Sequence, residues 1–211
     1  AITAGTGTAG AHLLGTIGAR AVAGVASFAT VNIDSAGTNY TLTASAAGLT
    51  GATSATFQVQ PGVPARLTFV TATQPSNQTA GTVFSPSPQV TLRDAFGNLV
   101  VAATDPVTMT ITGGTGAVGA SLAGTVTVNA AGGIATFADL SIAMAGTGYS
   151  LTAARSGLTS AVSGTFSIAA GAPARVVVTP SGATIPAGGT QQLAAQVQDA
   201  QGNVLGGLTV T

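Results

Sequence analysis

Apolar and small polar residues alternate with a period of two along many short stretches of this chain. "RLTFVT" from Arg66, "QVTLRD" from Gln89, "VTMTIT" from Val107, "GTVTV" from Gly124, "ATFADLSI" from Ala135, "YSLTA" from Tyr149 and "GTFSI" from Gly164 all follow it. That period puts every second side chain on one face of an extended backbone, so each stretch is predicted to be a half-buried β-strand. Between them, "DAFGN", "GGTGAVG", "NAAGG" and "AGTG" supply Gly or Asn where the backbone must take a positive φ. The strong helix formers are scarce, with no Lys and no Glu in the chain, and no long helix is expected.

The pattern is written more than once. "GTGTAGAHLLGT" from Gly5 returns as "GTGAVGASLAGT" from Gly114, and "GVASFATVNI" from Gly24 as "GIATFADLSI" from Gly133. "AGTNYTLTASAAGLT" from Ala36 returns as "AGTGYSLTAARSGLT" from Ala145. Pro173 answers Pro64, 109 positions on, and this register runs without a gap from Ile2 to Arg66. A weaker third copy sets "QVQDAQGNVL" against "QVTLRDAFGNLV", with Asp199 answering Asp94 at 105 positions, so a short deletion is implied. A period of this size is one small sandwich, well above the roughly 20–50 residues of solenoid repeats. Three pieces are therefore expected: residues 1–60 as the C-terminal part of one module, 61–169 as a complete module, and 170–211 as the N-terminal part of another.

Composition narrows the function. All formal charge rests on five Arg and five Asp, giving a net charge of zero. Without a basic face there is nothing to neutralise phosphates, and nucleic-acid binding is not expected. The chain is apolar on average, yet its longest apolar run, "AVAGVASFATV" from Ala21, is short and broken by Gly and Ser, so no transmembrane helix is expected. With no Cys there is no disulfide framework, and packing must supply the stability.

Candidate chemistry is sparse. His12 is the only His, and Ser121 takes its place in the next copy, so it is expected to be a surface residue. No nucleophile elbow or zinc-protease spacing occurs, and no catalytic residue, cofactor site or metal site is assigned; the chain is not expected to be an enzyme. Asp94, Gly97 and Asn98, with their counterparts Asp199, Gly202 and Asn203, could offer oxygens to calcium. The favoured reading is a turn in which the Asp accepts backbone N–H groups. "GGTGAVG" lacks the Lys and the following helix of a phosphate loop and is expected to be a hairpin loop. The sequon Asn77-Gln78-Thr79 hints at glycan modification, whereas Asn39-Tyr40-Thr41, whose Asn answers to Gly148 in the next copy, is expected to be accidental; roughly one residue in six is Thr, which serves exposed strand faces.

"GIATFADLSIAMAGTGYSLTA" and "VVVTPSGATIPAGGTQQLAAQVQDAQGNV" resemble the bacterial immunoglobulin-like domains that occur in tandem on surface proteins, including adhesins of the intimin and invasin kind; the second stretch is similar to the group 2 branch. The resemblance covers essentially the whole chain. It implies an all-β fold of tandem Ig-like β-sandwiches of about seven strands each. Tyr40 and Tyr149, each after an "AGT" turn, are similar to the tyrosine corner of such sandwiches, in which the hydroxyl reaches back to a nearby backbone group. Phe28, Tyr40, Phe57, Phe137, Tyr149 and Phe166 are then the structural core.

"GLTVT" ending at Thr211 and "AITAG" starting at Ala1 together read like "PVTMTITGG" from Pro106. The expectation is that Thr209 to Thr211 of one copy and Ala1 to Thr3 of the next lie in one strand. Residues 174–211 of one copy would then pair with residues 1–60 of the next and bury Phe28, Tyr40 and Phe57, and Ile2 is expected to be buried as well. The expected function is a structural repeat unit of an extracellular bacterial filament or cell-surface stalk, with further copies of itself as partner. An adhesin segment or a carbohydrate-binding accessory module is the alternative.

Overall fold

The computed structural model describes residues 1–182 and 184–210. The fold is all-β and sandwich-like; the one helical element among the described residues is a single 3-10 turn at Thr71–Thr73.

Strands in residues 61–169 form two main sheets. In one, Pro106–Ile111 lies between Thr127–Asn129 and Leu151–Ala154, and Ala161–Val162 follows at the edge. In the other, Gln89–Arg93 lies between Arg66–Phe69 and Ile134–Thr136. A smaller sheet joins Gly146–Tyr149, Phe166–Ala169 and Gln78–Thr79, the last running parallel. The period-two pattern turns one face inward: Val107, Met109, Leu151 and Ala153 from the first sheet meet Leu67, Phe69, Val90 and Leu92 from the second, all at most 5 % exposed. Each such large apolar side chain contributes about 1.5–3 kcal/mol by leaving water. Phe166 sits in this core with Tyr149 stacked 5.8 Å away on one side and Phe84 edge-on at 5.3 Å on the other.

Local chemistry shortens several of the predicted strands. "YSLTA" is interrupted at Ser150, because Tyr149 closes a ladder with Phe166 while Leu151 opens another with Ile111; the chain changes sheet there. "GTVTV" pairs only from Thr127, since Gly124 is left-handed (φ +98°) and the Asp139 carboxylate holds Thr125 through both N–H and hydroxyl at 2.8 Å. In "QVTLR" three successive residues are buried, and Thr91 is tolerated inside because its hydroxyl donates to Thr68 O at 3.0 Å.

The same ladders recur along the chain. Tyr40 pairs with Phe57 as Tyr149 pairs with Phe166, Leu13 with Ile33 as Leu122 with Ile142, and Thr43 with Thr53 as Thr152 with Val162. Ile2 bridges Leu42 as Ile111 pairs with Leu151. At the other end, Arg175–Thr179 pairs with Ala194–Gln198 in the register of Arg66–Phe69 with Gln89–Arg93, and Val204–Leu205 adds a third strand. No strand pairing among the described residues joins 1–60, 61–169 and 170–210 to one another.

Residues 1–60 differ from their counterparts in what covers them. Tyr40 is fully buried and stacks on Phe57 at 5.9 Å, but Phe57 is 37 % and Phe28 is 45 % exposed, whereas Phe166 is 3 % and Phe137 is 0 % exposed. The physical reason is that residues 1–60 contain no counterpart of the Arg66–Phe69 and Gln89–Arg93 sheet or of Phe84. An open hollow of about 630 Å³ remains, lined by Leu13, Ile17, Phe28 and Leu42 among others. Ile2, expected to be buried, is half-buried, as is Ile111: Ile2 makes a single isolated bridge to Leu42, and Ile111 is the last pair of its ladder. The expected strand across Thr209 to Thr211 involves Thr211, which lies outside the described residues; Val210 is 43 % exposed.

Candidate functional site at the junctions between repeats

The most densely hydrogen-bonded side chains belong to the two Asp-x-x-Gly-Asn loops. The Asp94 carboxylate accepts four N–H groups: Phe96 N (3.0 Å) and Asn98 N (2.8 Å) on Oδ1, and Gly62 N and Asn98 Nδ2 (both 2.9 Å) on Oδ2. Asp199 accepts the equivalent four, from Gln201 N, Asn203 N, Gly171 N and Asn203 Nδ2, at 2.8 to 3.0 Å. Both aspartates are buried, at 2 % and 0 % exposure. The lone pairs that a cation would need are thus already directed at N–H donors, and the residues form a tight loop.

Burial alone would raise these carboxylic pKa values, but the hydrogen bonds outweigh it. Desolvation opposes ionisation of Asp199, while the Asn203 amide and the N–H groups of Gly171, Asn203 and Gln201 together pull its pKa down to about 2. The Asp94 pKa is lowered by the same balance. Gly97 and Gly202 take φ +97° and +91°, left-handed backbone that favours Gly at this place in both loops.

Asn98 and Asn203 do more than complete a turn. Asn98 Nδ2 also donates to Asp34 O at 2.9 Å, and Asn98 Oδ1 accepts Ala36 N at 2.9 Å. Asn203 Nδ2 donates to Ala143 O at 2.9 Å, and its Oδ1 accepts Ala145 N at 2.8 Å. Each Asn therefore binds a carbonyl and the N–H two residues later in the preceding repeat. Sequence reasoning missed this bridge; the signal was the Asn itself, conspicuous in both copies at a place where Gly alone would have made the turn.

The receiving turns are fixed by the tyrosines. Tyr40 Oη donates to Ser35 O and Tyr149 Oη to Met144 O, both at 2.8 Å. Beneath the rings lie Gly7 and Gly116, left-handed at φ +70° and +71°, where a Cβ would collide with the aromatic carbons. "GGTGAVG" is accordingly the floor beneath Tyr149. In the second junction the Gln201 side chain also packs over Gly81.

The remaining candidates separate from this site. His12 is exposed and pairs with Asp34 through N at 2.9 Å and Nδ1 at 3.0 Å, and Ser35 Oγ donates to the same carboxylate at 3.0 Å. The His12 N–H bond leads the interactions that lower the Asp34 pKa. Ser35 hydrogen-bonds the carboxylate and not the imidazole, so the three do not form a nucleophile–base–acid relay. Asp105 pairs with Arg155. Asn77 Oδ1 accepts Ser167 N at 2.8 Å and acts as part of a sheet edge, while Asn39 sits at φ +60° in the tyrosine turn. No group of three or more His, Cys, Asp or Glu side chains suited to a metal occurs among the described residues, and no helix there is long and apolar enough to cross a membrane.

No family model matches the chain, and no curated protein matches it.

Proposed function

We propose that this chain is a structural repeat unit: a run of Ig-like sandwiches that builds a bacterial extracellular filament or cell-surface stalk, without catalysis. The observation that carries the reading is the junction built twice from the same atoms, Asn98 on residues 34–36 and Asn203 on residues 143–145. A joint reproduced between successive repeats is what a linear array requires, since a heterologous contact that does not close on itself grows in one direction. The near absence of charge agrees, because molecules with net charge near zero associate readily.

The open face of residues 1–60 has a natural occupant in this scheme. Residues 170–210 repeat residues 61–105 with four residues deleted, and the strands of that stretch share the core with Phe137 and Phe166 in the central repeat. A further copy of that stretch, laid over Phe28 and Phe57, would close the hollow and continue the array. Negative-stain electron microscopy of the native material should show beaded threads whose spacing matches one repeat. Dispersed particles of single-chain size would overturn the proposal.

A further inference from the structure

The joint uses only backbone groups on its receiving side. Asn98 meets Asp34 O and Ala36 N, while Asn203 meets Ala143 O and Ala145 N. Asp34-Ser35-Ala36 and Ala143-Met144-Ala145 share only their last residue, yet the hydrogen bonds are the same. Neither end of the bridge is loose. On the donor side, the Asp carboxylate ties the Asn amide to the N–H of the linker glycine, Gly62 or Gly171. On the receiving side, the buried tyrosine hydroxyl pins the middle carbonyl of the turn, Ser35 O or Met144 O. A continuous path of hydrogen bonds thus runs from the core of one repeat, through its tyrosine, the turn, the Asn and the Asp, into the linker of the next.

We propose that Asn98 and Asn203 are latches that hold consecutive repeats at one fixed angle, and that they recognise a turn by its C=O and N–H spacing and not by its side chains. Three of the amide's hydrogen-bonding positions are used at each joint: two N–H donors and the carbonyl oxygen. Ala has none of them, Asp lacks both donors, and Gln carries its amide one methylene too far. A chain latched in this way is a stiff rod; unlatched, the same modules pivot on short Pro- and Gly-containing linkers. A pivoting chain would still be a repeat array, so the latch can fail without the structural-array reading failing.

The chain has no Cys, which makes site-specific spin labelling clean. Leu49→Cys with Val118→Cys straddles the first joint, and Val118→Cys with Leu193→Cys the second; these positions are 73 %, 99 % and 60 % exposed. Pulsed electron paramagnetic resonance on the full chain should give one narrow distance distribution for each pair. Asn98→Ala should broaden the first distribution about twofold or more and leave the second unchanged; Asn203→Ala should do the reverse. Hydrogen exchange at Ala36 N should accelerate at least tenfold in Asn98→Ala, with exchange at Leu92 and Met109 unchanged. If Leu92 also loses protection, the loop itself has loosened, and Ala36→Pro, which deletes the receiving N–H from the other side, must broaden the same distance. A broad distribution in the parent chain, or an unchanged width in Asn98→Ala and Ala36→Pro, would overturn the latch.

Discussion

Replacing Asp94 by Ala strips one acceptor group from four N–H donors at once: Gly62 N, Phe96 N, Asn98 N and Asn98 Nδ2. A hydrogen bond to a charged acceptor contributes about 1.5–3 kcal/mol net, so simple addition would give roughly 6–12 kcal/mol, comparable with the whole stability of a domain. That sum is too large for two reasons. The loop lies near the surface, and water entering the space left by the carboxylate can accept from several of the donors. The four bonds also share one anion, so their contributions are not additive. With about two donors left without a good partner, at about 1–1.5 kcal/mol each, the expected loss is about 2–3 kcal/mol.

For a folding unit of about 100 residues, that lowers Tm by about 10–15 °C. The assay is urea and thermal unfolding followed by tyrosine emission, which is unobscured because the chain has no Trp and Tyr149 reports on the central core. Asp94→Asn sharpens the comparison. Its shape is unchanged, but an NH₂ group must face Gly62 N and Asn98 Nδ2 or else Phe96 N and Asn98 N, donor against donor, so it should be no milder than Asp94→Ala. A loss below about 0.5 kcal/mol in both variants would refute the reasoning, because the carboxylate would then be ornamental to the loop.

Asp199 and Asp94 ionise more easily folded than unfolded, so between about pH 4 and pH 2 the unfolded chain binds more protons; their stabilisation is full above pH 4 and is lost as pH falls through the folded value, about 2 for Asp199, which acid titration of unfolding should show. Gly116→Ala sets a methyl group against the Tyr149 ring at a left-handed φ and should cost more than about 3 kcal/mol, whereas Gly119→Ala, also left-handed but facing open space, should cost about 1 kcal/mol, both read from urea midpoints. Tyr149→Phe removes only the bond to Met144 O and should cost about 1 kcal/mol, with faster hydrogen exchange confined to the turn at residues 143–145.

Much of the strand layout was legible because burial here follows the alternation closely: in "RLTF" and "VTM" every second residue is inward. The breaks were not, since they depend on partners distant in sequence. Nothing near Thr125 announces that the Asp139 carboxylate will take its N–H and hydroxyl, and nothing near Ser150 shows that Tyr149 and Leu151 will answer to different sheets. The partnership of His12 with Asp34 was hidden for the same reason, 22 residues apart across a small ladder. Phe28 and Phe57 read as core from their repeat positions, and their exposure reflects which strands lie over them and not their own character.

The junction was half legible, and the repeat offsets explain why. Asn203 follows Asn98 by 105 positions, whereas Ala145 follows Ala36 by 109, so the chain between receiver and donor is four residues shorter in the second joint. A comparison along the sequence alone would therefore place the two loops out of step with the turns they touch. Strand register locates the missing residues: Arg175 answers Arg66 at 109 positions and Gln198 answers Arg93 at 105, so the deletion lies in the connection between those paired strands, between Thr179 and Ala194. That connection leaves from the strand ends opposite those bearing Arg66, Arg93 and the Asp-x-x-Gly-Asn loop, because Thr179 pairs with Ala194 while Arg175 pairs with Gln198 at the other end of the ladder. The chain can thus lose or gain residues at one end of the hairpin without disturbing the other. The two joints retain the same hydrogen bonds across that change in length, which is the behaviour of a contact set by the geometry of the sheet and not by the length of the loop.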